Sequence, residues 1–175
     1  MTSITKPVLI AALLGLLALV PVAIAGQPVT QTLTPAPLPF YTCKAVGNGT
    51  ICEGSRTFVE DPYDTGIVCG SGANAFDIWD QGTVEQIATR YYDADGNLTL
   101  RRVHEFWRPG GFSNPPTGAA VPYRQTTNIT DVLAVPGDLG SATTTTTGQN
   151  NFTVSGHGVV LQNSGRSVGA DDTIV

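Results

Sequence analysis

The first apolar feature along the chain is the unbroken run Val8–Val20, and the only positive side chain ahead of it is Lys6. A charged start followed by such a run is the pattern of an export signal. Pro21 then breaks the run. Ala23-Ile24-Ala25 sets small residues at the first and third positions of a signal-peptidase site, so the pattern predicts a signal peptide over residues 1–25 and a mature terminus at Gly26. Val8–Ala25 has about the minimum length that can cross a bilayer as a helix. Pro21 and the A-x-A site favour cleavage over an uncleaved anchor, and with no Cys just after the run a lipid-anchored form is not expected.

The polarity changes abruptly at Gln27. The segment QPVTQTLTPAPLP carries prolines that remove backbone donors and threonines that add no large apolar surface, so residues 26–39 read as an extended, partly polyproline-like linker. Residues 40–175 read as a single domain. Through this part no useful stretch keeps a 3.6-residue apolar period, whereas alternating or β-branched segments recur between turn signals. Strands are predicted near Arg56–Val59, Gly66–Cys69, Ala75–Trp79, Val84–Tyr92, Leu98–Trp107, Val121–Thr127, Thr130–Val135, Ala142–Thr147, Phe152–Val154 and Val159–Leu161, with a last one near Ser167 or Thr173. Gly82, Asp95-Gly96, Gly110-Gly111, Pro115-Pro116, Pro136-Gly137, Gly148 and Gly165 supply the breaks. So many short sequential strands predict an all-β protein, an antiparallel meander closed into a small barrel or folded into a sandwich.

Composition narrows the function. All fourteen acidic side chains remain after residues 1–25 depart with Lys6, which takes the net charge from -5 to -6. An acidic surface gives nucleic acid or anionic lipid no basic face to bind. Charged residues are only 13% of the chain, and 20 Gly and 12 Pro suit short strands and turns better than helices.

Three cysteines, Cys43, Cys52 and Cys69, are expected to form one disulfide in an oxidising compartment. Cys52 and Cys69 both follow apolar, strand-like residues, which favours a Cys52–Cys69 bond. The alternative Cys43–Cys52 closes around Lys44–Gly49, a plausible hairpin turn, and stays open. The spacing lacks a close C-x-x-C pair and the chain has only two histidines, so no metal site is expected, and no sequence feature calls for a cofactor.

The clearest local element is the hairpin around Thr89–Leu100. A two-residue Asp95-Gly96 turn would set Arg90 against Arg101, which like-charge repulsion disfavours. A four-residue loop, Asp93–Gly96, instead sets Arg90 against Thr99, Tyr91 against Leu98 and Glu85 against His104. That register makes Glu85 and His104 the nearest approach to an acid/base pair. A surface ion pair is the plainer outcome of such a juxtaposition. Asp93, Asp95 and Asn97 alternate like a calcium loop, but Leu98 and His104 stand where an EF-hand needs Gly and Glu.

Other catalytic patterns fail. Gly70–Ala75 spells G-x-G-x-x-A with no amphipathic helix after it, Ser71 lacks a nucleophile-elbow frame, and His104–Arg108 ends in Arg where a zinc protease needs His. His157, between two glycines, reads as a turn residue. Thr143–Thr147 can present a hydroxyl array or accept O-linked sugar, although an exposed strand is the plainer reading. The sequons at Asn48, Asn97, Asn128 and Asn151 matter only in a host that glycosylates secreted proteins.

Two resemblances bear on these readings. The run R-Y-Y-D-x-D-G-N-L at Arg90–Leu98 resembles one strand-turn of the YD repeats of large secreted shell proteins, in a single copy that supports a hairpin. Together with N-G-T-I-C at Asn48–Cys52, G-I-V-C-G-S-G at Gly66–Gly72 and D-V-L-A-V-P-G-D at Asp131–Asp138, it makes most of the mature chain resemble a group of uncharacterised secreted bacterial proteins. That resemblance implies export and the Cys52–Cys69 pairing, and it transfers no site.

The expectation that follows is a secreted, non-enzymatic binding or structural module holding a small apolar or glycan ligand. Trp79, Tyr91, Tyr92, Phe106 and Trp107 offer the stacking surface. The alternative is a small β-barrel isomerase, cyclase or hydrolase with a Glu85/His104 dyad. Intact-mass analysis of the exported protein should find Gly26 as its first residue; a species retaining residues 1–25 would refute the cleavage site.

Overall fold

The structure is a computed structural model that describes residues 29–170 of the chain. The signal peptide expected over residues 1–25 lies outside the described residues. Seven strands, β1 (Tyr41–Val46), β2 (Gly49–Cys69), β3 (Phe76–Tyr92), β4 (Leu98–Asn114), β5 (Ala119–Leu133), β6 (Ala142–Val154) and β7 (Gly158–Ala170), form one antiparallel sheet in chain order. The all-β meander is therefore observed. The sheet is not closed, because β1 and β7 stand at its opposite ends; the expected barrel or sandwich is not found among the described residues.

The strands are also fewer and longer than the sequence pattern suggests. Apart from β1, the strands run 13 to 21 residues, well beyond the usual five or six or so. Asp95-Gly96, Pro115-Pro116 and Pro136-Gly137 do separate strands, but Gly82, Gly110-Gly111, Gly148 and Gly165 lie inside them. At Arg108-Pro109 the ladder takes up extra residues on β4 as a bulge, with Gly82 facing Gly110 beside it. A Cβ on Gly110 would collide with the Tyr123 ring. Glycine here allows close approach without ending the strand.

Alternation gives the sheet two unlike faces. One, the inner face, carries the buried Val84, Ala88, Arg90 and Tyr92 of β3 together with Val103, Tyr123 and Asp131. Its core gathers along the strand ends at which β3 turns into β4 and β5 into β6, where Cys52, Tyr92, Leu98, Leu133 and Ala142 pack with Leu33, Tyr41, Cys43 and Leu139. Residues 29–39, read above as a linker, form a strap across this end. Thr34 bridges Asn97, Tyr92 Oη donates to Pro35 O at 2.9 Å, Arg90 Nη1 donates to Ala36 O, and Gln31 Nε2 donates to Thr50 Oγ1. Alternating Gln31, Leu33, Pro35 and Pro37 turn toward the sheet, so the proline-rich segment supplies cover that a sheet face otherwise lacks.

The register of the β3–β4 hairpin differs from the expectation. Strand pairing ends at Tyr92 and Leu98, and Asp93 N donates to Asn97 O, closing a five-residue loop. An irregularity between Tyr91 and Tyr92 then sets Arg90 against Arg101, Ile87 against His104 and Glu85 against Phe106. The like charges are tolerated because each guanidinium has its own partners. Arg101 Nε binds the fully buried Asp131 Oδ2 at 2.6 Å, and Arg90 bonds to the strap and stacks 5.1 Å over the Tyr41 ring.

The disulfide also differs. Cys43 and Cys52 face each other across β1 and β2 and are joined, while Cys69 is a free thiol. The expected Cys52–Cys69 bond cannot form, because both residues lie on β2 and the extended chain between them spans roughly 50 Å. Non-reducing peptide mapping should recover a Cys43–Cys52 peptide and an alkylated Cys69. Cys43→Ser and Cys52→Ser should each cost about 3 kcal/mol in denaturant melts, against under about 1 kcal/mol for Cys69→Ser.

Candidate functional site

The inner face changes character away from the strap. At the bulge, Trp107, Phe112, Tyr123 and Phe152 form an aromatic cluster, with centroids 6.4 Å apart for Trp107–Tyr123, 5.1 Å for Phe112–Tyr123 and 5.8 Å for Tyr123–Phe152. Beneath it lies Asp80, 7% exposed. Its carboxylate accepts from Tyr123 Oη at 2.9 Å, from Tyr63 Oη at 3.3 Å and from the Gln81 amide at 2.8 Å. Burial, and then the bond to the Asp80 carboxylate, push the Tyr123 phenol well above its ordinary range. Tyr63 is raised as well, by burial first, then by the Asp80 charge and the hydrogen bond to it. These hydroxyls stay protonated and hold an otherwise costly carboxylate in place.

Beside the cluster, across β5, β6 and β7, runs a polar trough of about 310 Å³. Its floor is glycine, since Gly148 faces Gly165 across β6 and β7 and Thr127 faces Gly148 across β5 and β6. On one side stand Gln125, Asn150 and Asn163 in a single cross-strand row that continues to Trp107. Thr146 and Ser167 stand on the other. Gln125 Nε2 donates to Thr127 Oγ1 at 2.7 Å, which orients that amide, while Asn150 Oδ1 and Trp107 Nε1 are buried without a protein partner. The trough walls carry neutral donors and acceptors; Arg166 is the one charged residue lining it.

The sequence-predicted residues separate onto two faces. Tyr92 and Trp107 are inner, whereas Trp79, Tyr91 and Phe106 are on the outer face. Tyr91 carries the Arg102 guanidinium 5.6 Å over its ring, and Phe106 meets His104 edge-on at 4.3 Å with Arg108 above it at 4.4 Å. The five aromatics thus form no single platform. Glu85 and His104 share the outer face one register step apart, but Glu85 faces Phe106, and the Nδ1–H tautomer of His104 donates to Asn128 Oδ1. Of the threonine run, Thr144 turns inward and donates to Asp131 Oδ1, while Thr143, Thr145 and Thr147 face outward, so the run divides between the two faces. No group of three or more His, Cys, Asp or Glu able to hold a metal occurs among the described residues.

Sequence reasoning missed Phe112, Tyr123, Phe152 and the amides Gln125, Asn150 and Asn163. The available signal was the alternation across Gly110-Gly111 and Gly148, hidden once those glycines were read as strand ends.

The fold and site thus define an open antiparallel meander with one strapped end and one polar trough. No protein-family model, curated protein or solved structure matches this chain.

The Tyr123–Asp80 bond gives a pH test. A phenol raised above its ordinary 10.0 contributes stability that is fully present below about pH 10 and is lost as the pH climbs toward its folded-state value. Melting temperature should therefore hold up to about pH 10 and fall above it. Tyr123→Phe should lower stability at neutral pH by about 1–3 kcal/mol and flatten the alkaline fall, read by thermal melts from pH 7 upward.

Proposed function

We propose that this protein acts outside the cytoplasm as a non-enzymatic binding module that holds a neutral glycan in the trough of its inner face. The observation that carries the reading is the glycine floor between Gly148 and Gly165, walled by Gln125, Asn150 and Asn163 and running up to Trp107. Sugars present ring hydroxyls to amides and C–H faces to aromatic rings, and here both kinds of surface adjoin along one row. The Cys43–Cys52 bond suits an oxidising compartment, and no helix among the described residues is long and apolar enough to cross a membrane. The open sheet suits the role better than a closed barrel does, since it leaves the trough accessible to a chain longer than one sugar.

The catalytic alternative has less to work with. His104 spends Nδ1 on Asn128, and Glu85 lies across from Phe106.

The test is calorimetric titration of the mature protein with soluble gluco-, xylo- and N-acetylglucosamine oligosaccharides. Asn150→Ala should weaken binding about tenfold, or 1.4 kcal/mol. A Cβ on Gly165 meets nothing within 4 Å, so Gly165→Val should keep the fold, read by circular dichroism, while filling the trough and abolishing binding. Binding that survives Gly165→Val, or none to any sugar in the panel, would overturn the proposal.

A further inference from the structure

The two ends of the open sheet are built differently. β1 covers only Gly49–Gly54 of β2, so residues 55–69 of β2 have no strand partner on that side among the described residues. This edge carries Glu60, Asp61, Pro62 and Asp64, and its ladder with β3 is broken by irregularities at Glu60/Tyr63 and Asp64/Val68. Charges, proline and bulges are the devices that stop a sheet edge from recruiting another strand. β7, which no strand pairs on its far side among the described residues, carries fewer of them: one bulge at Val160, and along Leu161–Ala170 neither bulge nor proline. Its ladder with β6 is continuous there, it contains no proline or acidic residue, its single charge is Arg166, and Leu161 and Val168 are 56% and 57% exposed. One edge is blocked and the other is ready to pair.

We propose that two copies of this chain join through their β7 edges, antiparallel about a two-fold axis at Ser164, to make one continuous fourteen-stranded sheet. Because β2 is blocked, the contact is isologous and closes after two copies, whereas pairing of β7 with β2 would propagate without end. Centring the axis on Ser164 spans the strand from Gly158 to Ala170, with the bulge at Val160 towards each outer end of the contact. It also sets Arg166 against Gln162, avoiding an Arg–Arg pair. An axis at Arg166 would instead set the two arginines against each other. An axis perpendicular to the sheet keeps both inner faces on one side, which brings the two troughs next to each other. The dimer does not rest on the glycan reading.

The mature protein carrying Cys69→Ser should sediment as a dimer at micromolar concentration. In that background Ser164→Cys should give one disulfide-linked dimer in oxidised glutathione, because the residue faces itself across the axis. Ser164→Lys opposes two like charges at the same point and should raise the dissociation constant at least about tenfold, with circular dichroism unchanged. A monomer at about 100 μM, an open-ended polymer, or a dimer in which Ser164→Cys does not cross-link and Ser164→Lys does not dissociate would each overturn the proposal.

Discussion

The buried ion pair between Arg101 and Asp131 sets the register on which the rest of the sheet depends. Asp131 is wholly buried; it takes Arg101 Nε from β4 and Thr144 Oγ1 from β6, so three neighbouring strands meet at one carboxylate. A slip of one residue in any of them would turn a partner to the other face and leave a charge buried alone, an outcome that costs several kcal/mol or so. The pair is thus better understood as a device that specifies alignment than as a source of net stability.

Arg90 extends the same row. It is 2% exposed and lies between Cys52 on β2 and Arg101 on β4. Its charge is met by the strap carbonyl of Ala36 and the Tyr41 ring. Phe40 closes over Gly54, where a Cβ would meet the Phe40 carbonyl at 2.6 Å. The strap, the Cys43–Cys52 bond and the buried arginine therefore form one assembly at one end of the sheet. The strap leaves the inner face uncovered farther along the strands, where the trough lies across β5, β6 and β7.

Function, on this reading, follows from an imbalance of cover. A single-layer sheet buries little, and the residues that would fill a core in a sandwich are here the aromatic cluster, held by the Asp80 carboxylate, and the amide row beside it. Glycines at 148 and 165 keep the floor low enough for a ligand, and the long strands carry the row unbroken from Trp107 to Asn163.

The sequence by itself determined the all-β class, the antiparallel meander, and the hairpin turns at Asp95-Gly96, Pro115-Pro116 and Pro136-Gly137, because alternation and turn residues act over a few neighbours. Only the tertiary structure decided whether an internal glycine ends a strand or lets a neighbour approach it, as Tyr123 does at Gly110. It likewise decided that Arg90 faces Arg101, since the partners that make this tolerable, Asp131 and the strap, are 30 or more residues away in the chain. Cys52 bonds Cys43 rather than Cys69 for a related reason. Sequence spacing does not say whether two cysteines lie on adjacent strands or far apart on one, and that geometry alone fixes which sulfurs can meet.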